Sequence, residues 1–358
     1  MGLDGGPGNR RPVWIPRVLG HRDHPQPVFA WSRLLEPAQR LRVVDELFSL
    51  HANGLFLRRE ALDAGYSDRD LLHAVRAGVL IRVRHGAYVG AHTWQQRDDV
   101  GRHGLRCQAV TLTHGHEVAL SHTSGAAVMG LRIWGADLSK VHVTRLDELP
   151  GNQSRDVVYH RGHWDADDIH QVDEMLVMSP ARCALGTAAL SSVESGLVTL
   201  DSAYDLGYAT ETEMQREYVK MSGWPGTARL QVTLRLAEPG AESVGESRNR
   251  YMFWSQHLPK PVLQFEVYDH DGSLVGVSDF AWPDHGLLGE FDGRVKYGRY
   301  LRPGEGASDA VYREKLREDL LRELTGWSMI RFIWSDLDRP AATTARVRRM
   351  LSRTRFVA

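Results

Sequence analysis

Val277-Ser278-Asp279-Phe280-Ala281-Trp282 leads through Pro283-Asp284-His285-Gly286 into Leu287-Leu288-Gly289-Glu290-Phe291-Asp292-Gly293-Arg294-Val295-Lys296. The two apolar runs read as strands, and the Pro and Gly between them as a turn. Each run carries a carboxylate where a half-buried strand favours an apolar residue. Paired strands lie about 4.7–4.9 Å apart, so Asp279 and Glu290 are close enough to share a cation. Glu290 and Asp292 are two apart and face the same side of a strand. Three convergent carboxylates repel one another unless a hard cation, Mg²⁺ or Mn²⁺, neutralises them.

Working outward, the composition shifts around Ala237-Glu238-Pro239-Gly240-Ala241-Glu242, which marks a boundary opening a C-terminal domain at 239–358. The spacing predicts a helix over 246–257 and strands over 262–268, 274–282 and 287–292. After a loop at 297–308 come a helix over 309–324, a strand over 328–334 and a basic helix over 341–352. Asp269-His270-Asp271-Gly272 supplies the first hairpin turn.

This α-β-β-β-α-β order, the placement of Asp279 and Glu290, and the tail YREKLREDLLRELTGWSMIRFIWSDL (312–337) resemble the restriction-endonuclease-like, or PD-(D/E)xK, superfamily. Within it the nearest resemblance is to the very-short-patch-repair-like endonucleases and covers about residues 243–338. It implies that Asp279 and Glu290 hold Mg²⁺, that Glu246 on the first helix assists, and that the cation activates the attacking water. One departure stands out. The superfamily's Glu-x-Lys is here Glu290-Phe291-Asp292, so an ammonium would have to come from Lys296 or Lys315. Plainer readings exist for the helpers. Asp292-Gly293 also suits a turn, Glu246 suits a helix start, and Lys315 lies in a charge-rich, solvated helix face.

At the other end, residues 1–33 carry Pro12, Pro16, Pro25 and Pro27 without helical period and read as a disordered leader. Residues 34–90 predict helices over 36–51, 57–64 and 68–77, then a hairpin from 79–84 to 87–89 through His85-Gly86, the order of a winged helix-turn-helix. Ser67 caps the third helix, which offers Arg69, His73 and Arg76 to a DNA groove, while Arg82, Arg84 and His85 lie on the wing. A small helical domain for protein contacts is the plainer alternative. Residues 55–89, LFLRREALDAGYSDRDLLHAVRAGVLIRVRHGAYV, resemble the N-terminal domain of AbiEi-type antitoxins. That resemblance implies a DNA-binding winged helix, often autorepressing.

The middle, 91–238, reads as a mixed α/β domain of unassigned role, with strands at 141–144 and 157–161 and helices opening near 120 and at 180. His114, His116 and His122 lack the spacing of a zinc motif. Arg145, His160 and Arg161 suit either phosphate contacts or polar strand ends.

The whole is an α+β multidomain chain of 358 residues, 42% hydrophobic and 25% charged, with a formal net charge of -1. Those values suit an ordinary soluble, cytoplasmic protein without a membrane partner. Cys107 and Cys183, far apart in sequence, read as reduced thiols. DNA is the expected partner, and a homodimer is an open option. The leading reading is an Mg²⁺-dependent DNA endonuclease steered by the winged helix. Its alternative is a non-catalytic, antitoxin-like repressor with a degenerate nuclease fold. A module for RNA or a protein partner is third.

Overall fold

The computed structural model describes residues 47–147, 149–293 and 307–353. The leader, most of the 36–51 helix, Lys296 and most of the 297–308 loop lie outside the described residues. The chain divides into two compact units, one running to Trp94 and including Val172–Glu174, the other comprising Gln95–Gln171 and everything from Met175.

In the first unit, β1 (Phe56–Leu57) leads into α1 (Arg58–Asp63) and α2 (Asp68–Arg76), followed by β2 (Leu80–Arg84) and β3 (Ala87–Gly90). The sheet order is β1-β3-β2, all antiparallel. Leu57 is extended and caps α1, so the helix expected from 57 starts one residue later. Leu47, Phe56, Ala61, Leu71, Ala74, Leu80 and Tyr88 form the core. Gly86 turns the hairpin with φ +77°, a backbone conformation that L side chains adopt only with strain.

Helix α3 (Ala91–Gln95) lies in the first unit up to Trp94, and the second unit continues with α4 (Asp99–His114), β4 (Val118–Leu120) and α5 (His122–Val128). Strands β5 (Val141–Arg145), β6 (Asn152–Gln153), β7 (Val157–His160), β8 (Ile169–Val172) and β9 (Met175–Met178) follow. They complete a six-stranded sheet of order β6-β7-β5-β4-β9-β8. Four helices come next: α6 (Pro180–Leu190), α7 (Val193–Asp205), α8 (Glu211–Lys220) and α9 (Thr227–Leu236).

The C-terminal stretch then runs α10 (Val244–Ser255), β10 (Val262–Tyr268), β11 (Leu274–Trp282), β12 (Leu287–Asp292), α11 (Ala307–Thr325) and β13 (Ser328–Ile333), closing with α12 (Trp334–Leu337) and α13 (Pro340–Arg353). The sheet order is β10-β11-β12-β13, antiparallel until the parallel β12–β13 pair. Phe253, Phe280, Trp282, Phe291, Phe332, Val347 and Leu351 pack on one face of this sheet. Val267, Ala281, Leu288 and Leu321 pack on the other, the face that α11 covers. The element order read from the sequence is present. Trp334 is the one residue expected in the last strand that instead starts a helix.

Candidate nucleic-acid interface and acidic cluster

Helix α2 is fixed at its N-terminal end before it presents anything. At its start, Ser67 Oγ accepts from Asp70 N at 3.3 Å while Ser67 N donates to Asp70 Oδ2 at 2.9 Å, a reciprocal cap. Arg58 donates twice to Asp68. That pairing holds the Asp68 carboxyl below its usual range, and the Ser67 hydrogen bonds do the same for Asp70. Both acids at this helix end are therefore occupied within the unit.

Leu71 and Ala74 anchor the buried side of α2. Its opposite stripe carries Arg69, Leu72, His73 and Arg76, all exposed. On the hairpin Arg82 and His85 are exposed, whereas Arg84 is half-buried. The register shifts between Arg82 and Arg84, which gives the two arginines different surroundings on one strand. Of the expected DNA-facing set, Ser67 is occupied as a cap and Arg84 is partly withdrawn. Leu72 is the residue the sequence reading passed over, although its spacing of three and four from Arg69 and Arg76 was available.

In the second unit, Phe280 pairs with Gly289 across β11 and β12. Continuing that antiparallel register brings Asp279 opposite Glu290. Their neighbours Phe280 and Phe291 point to the aromatic face, so both carboxylates point to the α11 face. Asp279 Oδ2 accepts from Phe291 N at 2.7 Å. Glu290 is 6% exposed, and its Oε1 accepts from Arg317 Nη2 at 2.5 Å. Arg317 also donates to Val277 O at 3.0 Å. Arg331, two strand positions from Ile333, lies 3.6 Å from Glu290 and 3.8 Å from Asp292, and it donates to Glu318 at 2.7 Å. Arg317 and Arg331 thus stand beside Glu290, Arg331 also approaches Asp292, and the Asp279 carboxylate is held by the backbone of Phe291.

Of the remaining expected helpers, Lys296 lies outside the described residues. Glu246 caps α10, accepting from Ser243 Oγ at 2.6 Å and Glu242 N at 2.8 Å. Lys315 is exposed on α11. Arg317 and Arg331 escaped the sequence reading because a charge-rich helix and a strand-borne arginine both default to solvent.

A third polar cluster sits between the middle sheet and its helices. The His122 and His160 rings stack at 3.7 Å, and His142 Nδ1 hydrogen-bonds His160 Nε2 at 2.9 Å. His103 Nε2 pairs with Ser124 Oγ, which also accepts from His142 N. Gly186 leaves room for the ring, since a Cβ there would meet His122 at 2.8 Å. Burial pushes His103 and His160 down to about 4 and His122 well below its usual value. His114 is apart from this group, hydrogen-bonded to Tyr159 at 2.9 Å. Arg145 is paired with Asp147. Among the described residues, no three His, Cys, Asp or Glu side chains converge as metal ligands, and no helix is long and apolar enough to cross a membrane.

Residues 42–89 match a family described as transcriptional regulator, AbiEi antitoxin. Two curated Mycobacterium tuberculosis proteins, described as uncharacterized and named MT2308 (strain CDC 1551) and Rv2248 (strain H37Rv), are each 30% identical over 285 residues. Those alignments span 79% of this chain and 96% of each relative. Among solved structures, the RV2827C protein from Mycobacterium tuberculosis gives a TM-score of 0.36 at 15% identity, over 64% of this chain and 84% of that one.

Proposed function

Because this chain belongs to the family of the Mycobacterium tuberculosis proteins Rv2248 and MT2308 and matches the AbiEi antitoxin regulators over 42–89, we propose that it is a DNA-binding transcriptional regulator. The 56–90 segment is read as a winged helix-turn-helix, with α2 entering the major groove and the β2–β3 hairpin lying along the backbone. One observation carries this reading. Helix α2 is locked to the core by Leu71 and Ala74 and exposes Arg69, His73 and Arg76 on its other side. Guanidinium groups so placed suit phosphates and guanine edges alike. Selection of random duplexes by the full chain tests it. An enriched sequence is expected, and its enrichment should vanish in an Arg69→Ala/Arg76→Ala variant.

The endonuclease reading, which leads from the sequence alone, becomes second because the family match falls on transcriptional regulators. The Asp279–Glu290 juxtaposition on one sheet face keeps it alive, together with the α-β-β-β-α-β order of a restriction-endonuclease-like core. In that reading the two acids hold Mg²⁺ or Mn²⁺, Asp292 and Glu246 support them, and Lys296 or Lys315 assists. Weighing against it, Glu290 is already neutralised by Arg317 and approached by Arg331. Incubation of duplex and single-stranded DNA with Mg²⁺ or Mn²⁺ separates the two. The regulator reading predicts no cleavage by wild type, with DNA affinity kept in Asp279→Ala and Glu290→Ala. Cleavage by wild type that both variants lose would establish the nuclease.

A further inference from the structure

Leu72 is 50% exposed on α2 and takes no part in the core of its unit. At about 100° per residue, Arg69, Leu72, His73 and Arg76 fall within an arc of about 100° on the solvent side of the helix. Leu72 lies about 4.5 Å along the axis from Arg69 and about 6 Å from Arg76, flanked by both cations. A leucine there has no use against phosphate oxygens, and in water its apolar surface brings nothing. The groove floor offers one complementary group. The C5-methyl of thymine is the apolar feature of the major groove, and it lies within reach of a helix whose neighbouring arginines engage the backbone or guanine.

We infer that Leu72 is a specificity-determining residue that packs on a thymine methyl group, so that the duplexes this chain prefers carry a thymine beneath the middle of α2. This rests on the DNA-binding reading of α2 and adds the base that the helix selects. Arg58 and Ser67 prepare the contact from behind. Arg58 does so by pairing with Asp68, which offsets a negative charge at the helix start that would otherwise repel the incoming backbone, while Ser67 fixes the helix start through its cap with Asp70.

The test uses the full chain and the duplex it enriches most from a random pool. Each thymine of that duplex is replaced in turn by deoxyuridine, which removes the methyl group and leaves base pairing unchanged. For wild type, one replacement is expected to weaken binding about four-fold, the value of one methyl group taken out of water. Leu72→Ala, a surface change that spares the core, should lose affinity for the unmodified duplex and be indifferent to deoxyuridine at that position. Insensitivity of wild type at every thymine would overturn the assignment while leaving DNA binding intact. So would a Leu72→Ala variant that still discriminates the methyl group as wild type does. If no duplex is enriched at all, the DNA-binding reading fails and the assignment falls with it.

Discussion

Replacing Gly245 by Ala is expected to destabilise the second unit by about 3 kcal/mol or more. In an unremarkable helical position the same change stabilises by up to about 1 kcal/mol, so the sign itself is diagnostic. Gly245 is buried in the first turn of α10, and a Cβ there would overlap the edge of the Phe291 ring at its Cε1. Phe291 has nowhere to retreat. It meets Trp334 edge to face at 5.1 Å and sits in the aromatic core of the C-terminal sheet. Urea unfolding of the full chain, followed by tryptophan fluorescence, reads the loss. Adding Phe291→Ala should make the two changes strongly non-additive, because the smaller side chain removes the clash. A neutral or stabilised Gly245→Ala variant would mean that α10 and β12 do not approach as described.

The second large effect is acid lability of the middle sheet. In the unfolded chain an imidazole takes up its proton near 6.5, whereas His103 and His160 do so only near 4 in the fold, chiefly because burial disfavours their charged form. Their contribution is therefore intact above about 6.5 and is lost as pH falls towards about 4, on the order of 3 kcal/mol for each group. His122, stacked on His160 and held lower still, acts in the same sense. Asp147, held down to about 2 chiefly by the Arg145 hydrogen bond, titrates below this window. Asp201 and Glu217, pushed up by burial, oppose the trend and soften it. Unfolding midpoints at about pH 7.5 and about pH 5 should differ clearly for wild type and less for His160→Gln. A flat profile across that interval would contradict the buried neutral stack.

The C-terminal sheet was legible because its sequence speaks in short, well-punctuated runs. The bounds of β10, β11 and β12 coincide with those read from Val262, Leu274 and Leu287 onward, since Asp269–Gly272 and Pro283–Gly286 isolate them. Helix α7 was not legible. Nine consecutive residues from Ser195 to Ala203 are buried, so the alternation of polar and apolar faces that betrays a helix is absent. Gly101 and Gly104 similarly masked α4. The acids of the candidate site could be named from sequence because a carboxylate in an apolar strand is conspicuous. Arg317 and Arg331 could not, since only the fold brings residues 27 and 41 positions from Glu290 to its side. On α2 the arginines were legible from charge and position. Leu72 was not, because an exposed leucine is conspicuous only once the helix's buried face is known.

The central claim, that α2 is the DNA-reading element, is tested most directly by the affinity of the full chain for an enriched duplex across a salt series. Wild type and Arg69→Ala/Arg76→Ala should both show log affinity falling linearly with log salt concentration. The variant should bind more weakly, with a slope shallower by about two if both arginines meet phosphates, or by less where one of them reads a base. Affinity and slope unchanged by the double substitution would move DNA recognition away from α2, and absence of salt-sensitive binding by wild type would contradict the account outright.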